Sequence, residues 1–178
     1  MMKMKPIVPS LMVTRASHIP FDMLWNAGYR GILWDLERTL IPLGSRSITH
    51  YAAHVVNEAI LHRFVNALCT NSTYDYEYDL LKYFGGRIAQ PDNDQGVVKK
   101  KPHKSIFLRG CDLLDLKPNE VVMVGDKLLF DTSPAASLGM GTVLVNPLPG
   151  HDVWAEYLAF RRTRERLALR RLGLKRPK

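Results

Sequence analysis

Four polar landmarks follow one another along this chain, and their types and order constrain the chemistry they could do. Asp35 ends the apolar run Ile32-Leu33-Trp34 and is followed by Glu37. Thr70 and Asn71 come after Leu68-Cys69, Lys101 stands before Pro102, and Asp126 and Asp131 come just after Val121–Val124. Three of the four landmarks sit where an apolar, strand-like run ends. In an open α/β sheet, ligands bind beyond the carboxyl ends of the strands. Carboxylates, a hydroxyl and an ammonium gathered there have the parts for Mg²⁺-assisted phosphoryl transfer. The carboxylates of Asp35, Asp126 and Asp131 would hold a hard cation, and Asp35 would attack phosphorus. Thr70 and Lys101 would hold the transferring oxygens.

The elements that must position these groups are legible as an alternation of strands and helices. Ile19–Gly28 reads as a short helix with Pro20 near its start and Gly28 at its end. Gly31–Trp34 reads as a first strand, apolar throughout, as suits a parallel strand buried on both faces. Helical spacing over 48–61 and a strand at 64–69 come next, then a helix at 74–84 closed by Gly85-Gly86 and a short strand at 87–90. A helix is expected at 105–114, a strand at 121–124, a helix at 132–138, a strand at 142–145, and a final helix from about Val153 toward Arg171. The alternation predicts an α/β three-layer sandwich with a mostly parallel central sheet. The landmarks are each about one helix-plus-strand unit apart, so all four reach one edge of that sheet. The loop after Asp35 and the segment from Thr70 to Lys101 leave no room for a folded cap domain.

Taken singly, each landmark has a plainer explanation. Asp35 and Asp131 could cap turns or helices, Thr70 is an ordinary strand-end residue, and Lys101 lies among Lys99, Lys100 and Lys104. Pro102 separates Lys101 from its neighbours by holding it extended. His50 and His54, one helical turn apart, lack a third ligand for a metal. A receiver domain also combines acids, a Thr and a Lys-Pro, but its acids all precede the Lys, whereas Asp126 and Asp131 follow it. Tyr74, Tyr76, Tyr78 and Tyr83 read as half-buried helix positions rather than a base-stacking platform.

Over roughly residues 5–175 the chain resembles the haloacid dehalogenase (HAD) superfamily of phosphatases. Within it, the chain looks most like the capless YqeG type, related to phosphatidylglycerophosphate phosphatases. The resemblance rests on Gly28-Tyr29-Arg30-Gly31 before Asp35, on Thr70-Asn71, on Lys101-Pro102, and on Gly125-Asp126 with Asp131. It extends to Gly139-Met140-Gly141-Thr142 and the basic C-terminal helix. The resemblance implies an aspartyl-phosphate on Asp35. It implies Mg²⁺ held by Asp35, Asp126 and the backbone carbonyl of Glu37, with Asp131 nearby, and phosphate held by Thr70, Asn71 and Lys101. The family pattern has an Asp two residues after the nucleophile, as general acid and base; here that residue is Glu37, followed by Arg38 where the family usually has Asn.

Length and charge set the remaining expectations. A chain of 178 residues with 46% hydrophobic and 24% charged side chains has the composition of one globular domain. No stretch is long and apolar enough for a membrane-spanning helix, and Met1–Pro6 leads into no apolar core, so no secretory signal is expected. Cys69 and Cys111 are expected as reduced, buried thiols, which fits a cytoplasmic protein. The net charge of +8 is carried by residues 161–178, where nine basic side chains face Glu165 alone. The expected organisation is a HAD-like phosphatase domain over 1–160 with a basic helix and tail over 161–178. A neutral body with a cationic end points to an anionic partner surface, a membrane face ahead of RNA. The expected substrate is a phosphorylated small molecule or a phosphatidylglycerophosphate-like lipid. The rival is a catalytically weak binding protein on the same fold whose tail contacts RNA or a ribosomal surface. The sequence sets no oligomeric state.

Overall fold

The computed structural model describes residues 5–45, 47–72, 82–92, 96–148 and 155–178, with side chains from 163 onward in the last stretch. Within these, the elements in chain order are β1 (Leu11–Val13), α1 (Phe21–Asn26), β2 (Gly31–Trp34), α2 (His50–Leu61), β3 (Val65–Cys69) and β4 (Ile88–Ala89). They continue as α3 (Lys104–Leu114), β5 (Val121–Gly125), a π-helical turn (Leu128–Thr132), α4 (Ser133–Ala136), β6 (Gly141–Val145) and α5 (Ala155–Arg171). The strands form one parallel sheet in the order β1-β6-β5-β2-β3-β4. This is an open, fully parallel α/β sheet.

The continuous apolar strands are explained by burial on both sides. Ile32, Trp34, Val122 and Val124 point into one core with α1 and α2. Leu33, Val121 and Met123 point into the opposite core, with Ile106, Phe107 and Cys111 of α3. The period-2 alternation thus divides each strand between two apolar layers, so polar residues have no place until the strand ends. Tight contacts fix the layers. A Cβ on Gly110 would lie 2.6 Å from a Leu33 methyl, so α3 approaches β2 more closely than any other residue there would allow.

Chain connections run from β2 outward through β3 to β4, and then resume at β5 on the other side of β2. That reversal of direction lies between β2 and β5, where Trp34 pairs with Val124. A crevice forms where strand order reverses in this way, and Asp35 and Asp126 are the residues delivered to it.

Several expectations differ from the structure at element ends. β1 was not anticipated: it is three half-buried residues on the sheet edge, pairing with β6. The helix expected at 132–138 is instead the π-helical turn Leu128–Thr132 followed by the short α4. Most of the helix expected at 74–84, with Tyr74, Tyr76 and Tyr78, lies outside the described residues. Both cysteines are free and buried; burial pushes the Cys69 thiol up to about 12 and the Cys111 thiol up to about 11. No helix among the described residues is long and apolar enough to cross a membrane.

The basic segment is part of the fold. Ala168 and Leu169 of α5 are buried against Leu128 and Leu144, with Met12, Leu129, Leu172 and Leu174 packed around them. Beyond α5 the chain turns back at Gly173, whose φ of +68° is the left-handed conformation that favours glycine after a helix. Arg176 then donates to the Val145 carbonyl at 2.5 Å and to the Asp126 carbonyl at 2.6 Å.

Candidate active site

Asp35 is the first residue after β2, and its N–H still donates to the Val124 carbonyl at 2.9 Å. The ladder bond fixes the backbone, so the side chain projects from the sheet edge. The chain then turns sharply over buried Leu36, Leu40 and Ile41. Arg38 takes φ +68° there, and its N–H bonds the Ile41 carbonyl at 2.6 Å. The turn brings the Thr39 hydroxyl back to donate to Asp35 Oδ2 at 3.0 Å.

Lys101 arrives from the loop before α3. Its backbone is gripped by Asn71: Lys101 N–H donates to Asn71 Oδ1 at 2.6 Å, and Asn71 Nδ2 donates to the Lys101 carbonyl at 3.1 Å. Asn71 was expected to hold phosphate. Its side-chain amide bonds Lys101 at both ends, so it places the lysine, and its second Nδ2–H is left over for another acceptor. The Lys101 ammonium then sits 2.5 Å from Asp35 Oδ1 and 2.7 Å from Asp131 Oδ1, nearly excluded from solvent. Thr70 is buried at the end of β3, with its N–H on the Ala89 carbonyl and its hydroxyl accepting from Ser72 N–H.

Asp126 and Asp131 close the far side. Asp131 Oδ2 accepts the Lys127 N–H at 2.9 Å across the π-helical turn. Gly125 is required for this arrangement, because a Cβ there would lie 2.5 Å from Asp131 Cβ. The Lys127 ammonium is 3.2 Å from Asp126 Oδ1. Carboxylate oxygens of Asp35, Asp126 and Asp131 lie within 4.8 Å of one another, all three residues buried. Glu37 is not a member of that cluster.

The set fits a hard divalent cation. Its donors are all oxygen, as Mg²⁺ prefers. Asp126 Oδ1 and Asp131 Oδ1 are buried without a well-aligned hydrogen bond, their contacts being ammonium groups alone among the described residues. Each carboxylate oxygen has lone pairs beyond its ammonium contact with which to hold a cation.

The electrostatics separate the carboxylates. Burial would raise Asp35, but Lys101 and Lys127 outweigh it, and Asp35 is held below the usual carboxylate range. Burial and the neighbouring Asp35 charge push Asp131 up to about 7, against the pull of Lys101 and Lys127. Burial raises Glu37 and the Asp35 charge raises it further, so Glu37 retains a proton to higher pH than an exposed glutamate. Burial opposes the charge on Lys101, but Asp131 and Asp35 hold it protonated. Two neighbouring carboxyl groups whose environments push their pKa values in opposite directions are what acid and nucleophile roles in phosphoryl transfer would require.

Four further groups were not among the site residues expected from the sequence. Lys127 adds a second ammonium to the cluster. Glu165 accepts N–H bonds from Leu128 at 2.8 Å and Leu129 at 3.0 Å, tying α5 to the turn that carries Asp131. Arg176 holds the Asp126 carbonyl. Arg38 is buried, with Nε lacking a partner among the described residues. Lys127 directly follows the Gly125-Asp126 pair, which was the available signal, and Glu165 was visible as the single acid in a basic stretch. Arg38 was noted only as a departure from the family pattern, and nothing in the sequence pointed to Arg176 beyond its place in the basic stretch.

A family profile described as HAD-hydrolase-like matches residues 98–147, the stretch from Lys101 through β6. The chain is 26% identical over 149 residues to a probable phosphatase YqeG of Bacillus subtilis, covering 83% of this chain and 82% of that protein. It is 46% identical over 44 residues to a glyceraldehyde 3-phosphate phosphatase of Pyrococcus furiosus, a match spanning 25% of this chain and 18% of that enzyme. Among solved structures, a HAD family hydrolase from Deinococcus radiodurans with bound phosphate and sodium superimposes with a TM-score of 0.53 at 16% identity. That superposition covers 85% of this chain and 100% of the other. The chain thus has the haloacid dehalogenase fold, and over residues 98–147 its sequence is similar to that of HAD-like hydrolases.

Proposed function

We propose that this chain is a Mg²⁺-dependent phosphatase that hydrolyses a phosphate monoester through an aspartyl-phosphate on Asp35. The observation that carries the proposal is the convergence of Asp35, Lys101, Asp126 and Asp131, with one buried ammonium bridging the nucleophile and Asp131. In the first half-reaction an Asp35 carboxylate oxygen attacks phosphorus, and the P–O bond to the alcohol breaks. Glu37 donates its proton to the departing alkoxide. In the second, Glu37 takes a proton from water, the water oxygen attacks the same phosphorus, and Asp35 leaves as carboxylate with phosphate released. Lys101 and Thr70 hold the phosphoryl oxygens, and Asn71 keeps Lys101 in reach. Asp35, Asp126 and Asp131, with the Glu37 carbonyl, would hold Mg²⁺, which neutralises charge developing on the transferring group.

The finer assignment, by resemblance, is a lipid monoester of the phosphatidylglycerophosphate type, met by a cytoplasmic protein at the inner face of an anionic membrane. Exposed Arg164, Arg166, Arg170, Arg171 and Lys175 on a segment whose apolar side is buried support that docking. The test is Mg²⁺-dependent phosphate release from a lipid phosphate and from a soluble monoester, compared with Asp35→Asn. Release that is abolished in the folded variant supports the proposal. Release undiminished in Asp35→Asn overturns it, and retention on RNA with no hydrolysis would favour the binding-protein rival.

A further inference from the structure

Two ammonium groups meet the three carboxylates of the site, and they are held differently. The Lys101 side chain is 3% exposed and contacts two acids at once, Asp35 and Asp131, with its backbone gripped by Asn71. The Lys127 side chain is 28% exposed, and among the described residues its ammonium is in contact with one carboxylate, at 3.2 Å from Asp126 Oδ1. An ammonium carries three donors, so most of the bonding capacity of Lys127 is unspent at the mouth of the site. The backbone there is fixed, because the Lys127 N–H donates to Asp131 Oδ2 at 2.9 Å, while the side chain is a flexible four-carbon stem. Against burial, the Lys127 charge favours the ionised forms of Asp35, Glu37, Asp126 and Asp131 alike, so the ammonium acts on the whole site. Lys127 also borders a cavity of about 610 Å³, which gives its side chain room to move.

Asp126 is also a carboxylate that would hold Mg²⁺, so two cations compete for it. The ammonium sits on Asp126 Oδ1, and like charges repel at the short separation that one shared carboxylate imposes. We infer that Lys127 is a mobile cation of the active site, which occupies Asp126 until Mg²⁺ binds and then turns its ammonium to the phosphoryl oxygens of the substrate. Before the ion arrives the lysine balances the charge of the acids; afterwards it adds a second ammonium to that of Lys101. The two roles have opposite signs. Lys127 weakens Mg²⁺ binding in the absence of phosphate, and strengthens phosphate binding once Mg²⁺ is in place. A lysine that served only to neutralise Asp126 would affect the ion alone. The inference deepens the phosphatase proposal and rests on it for the identity of the phosphoryl group, but binding without turnover decides it.

The measurement is calorimetry on the full-length wild-type protein and on Lys127→Met, which keeps a long stem and removes the charge. Mg²⁺ alone is titrated first, and inorganic phosphate is then titrated at saturating Mg²⁺. Lys127→Met should bind Mg²⁺ alone about ten-fold more tightly, because a unit positive charge beside the ion is gone. It should bind phosphate about ten-fold or more weakly, because a charge-assisted hydrogen bond to the anion is lost. Lys127→Gln, shorter and polar, should shift both affinities in the same directions, and it stands in if the methionine variant does not fold. Lys104→Met removes an equal charge from an exposed position near Lys101 but outside the carboxylate cluster. Solvent screening should hold its effect on either affinity below about two-fold. Opposite changes in the two titrations, absent from the Lys104 control, support the inference. Mg²⁺ binding that is absent, unchanged or weaker in the Lys127 variants overturns it, as do unchanged phosphate binding and equal shifts in the control. Absence of Mg²⁺-dependent hydrolysis by the wild-type protein would sink the phosphatase proposal alone, since both titrations would still decide the role of Lys127.

Discussion

Replacing Glu165 with alanine removes the carboxylate that accepts the Leu128 and Leu129 N–H groups and leaves both donors at the start of the turn carrying Asp131. A hydrogen bond to a charged group contributes roughly 1.5–3 kcal/mol. The Leu128 bond is buried and should count near the top of that range, while water can replace much of the half-buried Leu129 bond. Together the loss is about 3 kcal/mol. For a domain of this size each kcal/mol moves the melting temperature by roughly 2–4 °C, so Glu165→Ala should melt about 6–12 °C below wild type. Glu165→Gln keeps one acceptor, for the buried Leu128 N–H, and turns its NH2 toward the half-buried Leu129 N–H, so it should lose about 2 kcal/mol. Displacement of Asp131 by as little as about 1 Å should also lower turnover on the order of 100-fold. The assay is thermal unfolding followed by circular dichroism, paired with phosphate release. An alanine variant melting within about 2 °C of wild type, or a glutamine variant as unstable as alanine, would refute the bracing role. The same contacts change the outcome expected for deleting residues 161–178. From the sequence alone, hydrolysis of a soluble phosphate should survive that deletion; with Glu165 and Arg176 holding the metal-side loop, it should fail.

Glu37→Gln should lower turnover and remove the high-pH fall in kcat/KM, because burial and the Asp35 charge keep the proton on Glu37 and deprotonation at higher pH ends its service as an acid; Glu37→Asp should match or exceed wild type, and a glutamine variant with an unaltered profile would contradict the role. Gly125→Ala should fold yet lose roughly 100-fold in turnover, since its Cβ would lie 2.5 Å from Asp131 Cβ and force that side chain aside; steady-state kinetics near wild type would show that Asp131 has room to spare. Mg²⁺ should bind more tightly as pH rises from about 6 to about 8, because Asp131, pushed up to about 7 without metal, must lose its proton to serve as a ligand. The check is the Mg²⁺-induced rise in melting temperature at the two pH values, and equal or smaller stabilisation at the higher pH would count against the site.

What the sequence revealed and what it hid have physical explanations. The central strands were readable because both faces are buried, so Ile32–Trp34 and Val121–Val124 are apolar without interruption. The polar residues that end them stand out for the same reason. β1 is an edge strand of three half-buried residues, too short and too exposed for a pattern. The π-helical turn has no periodicity of its own, and its shape depends on Glu165 more than thirty residues away. Asn71 could be named from its position after β3, but its grip on Lys101 depends on two loops meeting. The basic tail misled most. Its charge count suggested a detachable appendage, while Ala168, Leu169 and the lone Glu165 are the residues that fasten it.

The central claim is that Asp35 takes the phosphoryl group. Rapid acid quenching during Mg²⁺-dependent turnover of a phosphate monoester, followed by mass spectrometry of the peptides, tests it directly. The expected result is a phosphoryl adduct on the peptide containing Asp35, present during turnover and absent from Asp35→Asn. Sustained phosphate release with an adduct on another residue, or at the same rate from Asp35→Asn, would contradict it.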